Sequence, residues 1–323
     1  MTQLVLSTGN IVSGGPSIIR KPGAYRSNLE LTNSLRSNFL AAQQDYAEAI
    51  TNGNGNGNGH SAGEEQRSRR TPISIWTERD ASGALYIPRI DWGAAGLQEE
   101  ATQYDITVKL FFLPNTPVAE RAQYAKTALD LVLKELRVPS VDLLIVSFPG
   151  MSFDGDCEWE ADKMNSAQGN DQEEAATWQI LEDLHKQGLV KRLGIAEFGS
   201  EKLSRFLKTV SIRPEVDQIN IKDCCNVPPP LTKLAKEQGI ELLVHSDCTD
   251  VLPKGTLREL LGQGFQGAGV LADTLVDQED DAAHDGLKGD LLPEWVIKYT
   301  AVVRDRGVIE NKGYFAGAAL LSS

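Results

Sequence analysis

The sequence predicts an α/β protein built on a parallel sheet, of the (β/α)8 TIM-barrel type, with flexible insertions. Three observations lead there. Between Tyr104 and Ser246, short apolar runs rich in β-branched residues alternate with amphipathic helical stretches, the rhythm of βαβ units. The runs are continuously apolar, so both faces of each strand should be buried. No G-x-G-x-x-G or P-loop follows any of them, which removes the best-known nucleotide fingerprints of open doubly wound sheets and favours a barrel. A barrel takes roughly 250 residues, so the 323 present suit one such domain over 1–323.

Taken in order, Leu4–Thr8 reads as a strand, and Leu29–Ile50 as a helix with apolar residues every three or four positions. Asn-Gly repeats and a polar run follow, so 51–71 should be a solvated, disordered loop, since glycine costs backbone entropy and asparagine adds no core surface. Ile106–Leu113 reads as a strand, and Ala125, Leu129, Val132, Leu133 and Leu136 mark one face of a helix. Strands are expected over Val141–Phe148, Val190–Phe198, Val216–Ile221 and Ile240–His245. Helices should separate them over Glu174–Gln187, Ser200–Val210 with Ser200 as N-cap, and Pro229–Gln238 with Gly239 at its end. The stretch 256–290, Gly-rich and then acidic, reads as a variable surface loop. A last helix is expected over Leu292–Arg306, then a strand at Gly307–Ile309.

Charge narrows function. A formal net charge of −13 repels phosphate backbones and anionic membranes, so nucleic acid and membrane surfaces are poor partners. Cys157, Cys224, Cys225 and Cys248 form no C-x-x-C pair, hence no disulfide framework and no standard metal site. With no long apolar segment near Met1, a reducing cytoplasmic setting is the expectation.

Two stretches are distinctive. One runs Val216-Asp217-Gln218-Ile219-Asn220, through Cys224-Cys225-Asn226-Val227-Pro228-Pro229, to Ile240–Asp247. The other is Trp295–Tyr299 followed by Arg306-Gly307-Val308-Ile309-Glu310-Asn311-Lys312-Gly313-Tyr314. With Ser7-Thr8-Gly9-Asn10, these closely resemble the regulatory (modifier) subunit family of glutamate–cysteine ligase, from about residue 4 to 316. That family is itself similar to the aldo-keto reductases. Lys191-Arg192-Leu193-Gly194-Ile195-Ala196-Glu197-Phe198 resembles the reductases' K-x-L-G-V-S-N-F strand.

The resemblance implies an aldo-keto-reductase-type barrel and a heterodimer with the ligase catalytic subunit. The chain would then be a non-catalytic pseudoenzyme that improves glutamate use and eases glutathione feedback inhibition in glutathione biosynthesis. The alternative is an NADPH-dependent reductase of small carbonyl compounds. A reductase needs a tyrosine acid, a lysine, an aspartate and a histidine. By resemblance Lys109 occupies the lysine position, and Ser147, before Phe148-Pro149, stands where the histidine should be. Tyr86 and Asp91 occur in the wrong order for the tyrosine motif, and Ala196-Glu197 replaces the Ser-Asn pair that grips the nicotinamide. Glu197, Gln218 and Lys312 are therefore relict cofactor candidates, Lys312 at the place of a 2′-phosphate contact or simply a surface lysine. No cofactor is expected, with vestigial NADPH binding left open. Cys224 and Cys225 read as a redox-sensitive or partner-facing pair, or as small residues packed on the prolines. Trp295, Tyr299 and Tyr314 read as interface anchors or as caps of a barrel end. His185 and His245 read as structural.

Overall fold

Continuous apolar runs over residues 104–245 do form parallel strands. The computed structural model describes residues 2–13, 27–53, 71–114, 116–220, 226–248, 250–272 and 286–321. Strands β4 (Tyr104–Phe112), β5 (Val141–Ser147), β6 (Val190–Ala196), β7 (Val216–Asn220) and β8 (Glu241–His245) pair in parallel, each with its predecessor. The crossovers are α3 (Val118–Leu136), α4 (Glu158–Asn165) with α5 (Asp171–Lys186), α6 (Ser200–Phe206) and α7 (Pro229–Gln238). Gly239 ends α7 in the left-handed region, φ 70°, as its position predicts. Ser200 is the first residue of α6 rather than its cap, and its N–H and hydroxyl both donate to Asp162.

The rest of the sheet departs from the βα rhythm. The expected helix over 292–306 is instead β9 (Asp290–Val303), which makes an antiparallel hairpin with β10 (Val308–Leu321). A segment apolar on both faces satisfies helical and strand spacing alike, so its sequence pattern was ambiguous. The hairpin lies between β4 and β1 (Thr2–Ser7), antiparallel to both. β3 (Leu85–Ile87) and the short β2 (Glu78–Arg79) extend the other side of β1, giving the order β2-β3-β1-β10-β9-β4-β5-β6-β7-β8. Two further helices pack on this half: α1 (Ser27–Gly53), preceding the short α2 (Ile73–Trp76), and α8 (Thr256–Leu261).

One face of β4 and β9 packs against α3 and α5 through Leu110, Phe112, Leu129, Val132, Trp178, Leu181, Trp295 and Tyr299. The opposite face of β1, β9 and β10 (Leu4, Leu6, Val296, Ala316, Ala318) is covered by Leu31, Leu35 and Phe39 of α1 and by Leu257, Leu260 and Leu261 of α8. Segment 256–290 is thus more than a surface loop: its apolar spacing places α8 and Val270-Leu271 in the core, while 273–285 lies outside the described residues. Likewise α1 runs on through Gly53, and most of the expected 51–71 loop lies outside them. Trp295 and Tyr314 are buried, at 2% and 0% exposure, so neither ring offers itself to a partner; each packs on a sheet face instead. Trp295 sits opposite Gly317, where a Cβ would collide with the indole. Among the described residues no helix is long and apolar enough to cross a membrane.

Candidate functional site

β4 and β8 lie four steps apart in the sheet, about 19 Å if it were flat at ~4.8 Å per strand. Yet Lys109 Nζ on β4 lies 3.0 Å from Asp247 Oδ2 and 3.5 Å from His245 Nδ1 at the end of β8. The sheet therefore curls as a barrel does, and Lys109 spans its inside. Lys109 is directly opposite Lys298 of β9. Two facing ammonium groups repel, and Asp247 resolves this by taking one on each oxygen, with Lys298 Nζ 2.9 Å from Oδ1. Lys109 and Asp247 are both buried. Burial pushes the Lys109 ammonium down, and Asp247 opposes it. Burial pushes the Asp247 carboxyl up, but the two lysines together hold it far below the usual carboxylate range.

The network continues through His245. Its Nδ1 accepts from the Asp247 backbone N–H at 3.0 Å, which puts the ring proton on Nε2. Nε2 lies 2.6 Å from Glu197 Oε1, and Glu197 Oε2 accepts from the Asn220 N–H at 3.3 Å. Glu197 follows β6 in the left-handed region, φ 65°, uncommon for a non-glycine residue. Its backbone is held there from both sides: its N–H donates to Gln218 O, and its carbonyl accepts from Asn165 Nδ2 at 2.7 Å. Asp217 is fully buried, accepts one long bond from the Phe198 N–H at 3.4 Å, and leaves Oδ2 without a partner among the described residues. Burial pushes its carboxyl well above the ordinary value, the opposite direction to Asp247.

Of the residues singled out in the sequence, Lys109 and Glu197 join this network, linked through His245. Ser147 is buried at the end of β5 opposite Phe111, and no hydrogen bond joins it to Lys109 among the described residues. Gln218 lends its backbone carbonyl to Glu197, and its own Oε1 has no partner among the described residues. Lys312 lies on β10 with Nζ 2.7 Å from Glu30 Oε2, and the Tyr314 hydroxyl donates to Glu30 Oε1 at 2.6 Å. Burial and then Glu30 push the Tyr314 phenol well above its ordinary value, the opposite of what a tyrosine general acid needs. Cys224 and Cys225 lie outside the described residues. Sequence reasoning set His245 aside as structural and passed over Asp247, Lys298 and Glu30. The available signal was a charged residue within or just beyond an apolar strand, as in Ile297-Lys298-Tyr299 and His245-Ser246-Asp247, where burial demands a partner.

The human glutamate–cysteine ligase regulatory subunit is 24% identical over 220 residues, covering 68% of each chain. A putative glutamate–cysteine ligase regulatory subunit of Schizosaccharomyces pombe is 28% identical over 227 residues, covering 68% of this chain and 71% of that one. Among solved structures, the aldose reductase of Schistosoma japonicum aligns over 42% of this chain and 43% of its own at 27% identity, with a TM-score of 0.31. The profile of the aldo/keto reductase family matches residues 92–263, just over half of the sequence and the whole of β4–β8. The chain belongs to the aldo/keto reductase family.

Proposed function

We propose that this chain is a regulatory, non-catalytic member of its family that binds the catalytic subunit of glutamate–cysteine ligase as a heterodimer in the cytoplasm. There it improves glutamate use and eases inhibition by glutathione. The similarity to regulatory subunits supports the reading, and one observation carries it. The lysine at the reductase catalytic position is held by Asp247 and His245, and no tyrosine hydroxyl bonds it among the described residues. Reductase chemistry needs that lysine to stabilise a tyrosinate, and the groups of such a site act as a unit. Regulation requires only that the chain bind one state of its partner better than another.

A nicotinamide cofactor, which the family implies, fits these residues poorly. Glu197 offers acceptors alone where a neutral amide would donate and accept, and it already faces His245. Lys312 is neutralised by Glu30. The test is ligase turnover by the purified catalytic subunit across a glutamate titration, with and without this chain and with added glutathione. A lower apparent KM for glutamate or weaker glutathione inhibition is expected. Unchanged kinetics with no complex on a sizing column refutes the reading. NADPH oxidation over an aldehyde panel then tests the reductase alternative.

A further inference from the structure

At the end of β1 a cavity of about 290 Å³ opens between α1, the segment 88–95 and the last turn of α3. Its shape follows from the sequence of α1. Asn38, Ala41, Ala42, Asp45 and Tyr46 recur at three- and four-residue spacing, so they share one face, beside the stripe of Leu31, Leu35 and Phe39 that enters the core. The two alanines leave room that longer side chains would fill, and Pro88 and Ile90 add an apolar wall. Small-molecule sites are built this way, as a concave and largely apolar surface on which a few polar groups converge.

Arg89, Asp45, Asn38 and Glu135 converge on this one. Arg89 forms no ion pair among the described residues; its guanidinium stacks on the Tyr46 ring, 5.3 Å from the centroid, which holds it at the cavity. Asp45 has no hydrogen bond or ion pair among the described residues. An acid and a base thus line one cavity without reaching each other. Asn38 Nδ2 donates to Ser7 O at 2.9 Å, leaving its Oδ1 as an acceptor. Glu135 is 9% exposed, and its carboxyl is bonded by the Tyr299 hydroxyl. Tyr299 follows Lys298 on β9, and successive strand residues point to opposite faces, so this wall lies across the sheet from Lys109 and Asp247. Asp91, the remaining acid, is turned onto the Gly93 N–H at 2.8 Å. A phosphate would bring negative charge to three carboxyl groups, and a simple amine would leave Arg89 unpaired. A ligand with one charge of each sign answers both free groups.

We propose that this cavity binds a small zwitterion of the α-amino-acid class, its carboxylate on Arg89, its ammonium on Asp45, and the apolar wall left to its side chain. The test is thermal unfolding of the full chain with each common amino acid at millimolar concentration, then calorimetric titration of any that stabilises it. Two analogues of that amino acid are titrated beside it, one lacking the carboxylate and one lacking the amine. At least one amino acid should raise the unfolding midpoint, and each analogue should bind about tenfold more weakly. Arg89→Gln and Asp45→Asn, both at exposed positions, should keep the ligand-free midpoint and each weaken binding about tenfold. The proposal is overturned if no amino acid stabilises the chain, or if both variants bind as wild type does, which puts the site elsewhere. It is also overturned if the analogue lacking the carboxylate binds as tightly and Arg89→Gln has no effect, which makes this a cation site. None of these readouts involves the ligase, so the proposal and the regulatory reading fail separately.

Discussion

The parallel strands β4–β8 and the antiparallel set β1, β9 and β10 use charge differently. In the first region, Lys109, His245 and Asp247 turn inward and meet one another. In the second, α1 and α8 cover one face and α3 the other, and the hairpin turn shows arginines and bare valine and isoleucine to solvent. The two meet at Asp247, which takes one lysine from each region. Here the parallel region supplies Lys109, the antiparallel region Lys298, and Asp247 holds both.

The sharpest way to break this comparison is Asp247→Asn, which leaves the buried Lys109 and the half-buried Lys298 facing each other around a neutral amide. Removing one partner of a buried ion cluster costs about 3–5 kcal/mol, read as a fall in the urea midpoint at pH 7. Replacing Lys109 as well by methionine should restore much of the loss. The same carboxylate sets a pH signature. Its folded pKa lies far below the unfolded value of about 3.9, so its contribution is complete above that value and is lost as pH falls below it. The acid limb of the stability profile should therefore flatten in Asp247→Asn.

Asp217 titrates with the opposite sign. Its folded pKa is raised, so stability falls as pH climbs from about 3.9 toward the folded value, because only the unfolded state releases the proton. Asp217→Asn, whose amide oxygen still accepts from Phe198, should remove this pH dependence, so that its stability relative to wild type rises between pH 3 and pH 7. Identical losses in the two variants would mean that burial alone, and not the lysine pair, distinguishes these aspartates.

Smaller effects probe the antiparallel side. Tyr314→Phe removes the hydroxyl held by Glu30, and about 1 kcal/mol should follow in chemical unfolding. A reductase-type tyrosine would instead leave stability intact and abolish turnover. Ile309→Ser should move the midpoint by no more than about 0.5 kcal/mol, since the side chain is already in water. A loss as large as that at Asp247 would show that Ile309 is packed in solution.

Much of the parallel region was legible in the sequence. Each of β4–β8 is a short apolar run bounded by turn residues, and runs such as Val141–Ser147 leave little choice but a strand buried on both faces. Lys109 stood out because an ammonium inside such a run demands a partner. The sequence by itself thus determined that the chain has the family's βα frame, because periodicity and residue identity are local properties. What only the tertiary structure decided is where the remaining charges end. Val296–Val303 suits a helix or a strand until a sheet edge is there to receive it, and its pairing with β4 alone puts Lys298 opposite Lys109. Asp247, Glu30 and Lys312 meet their counterions only through the curl of the sheet and the packing of α1 upon it, and no spacing along the chain encodes a contact between residues 138 or 282 positions apart.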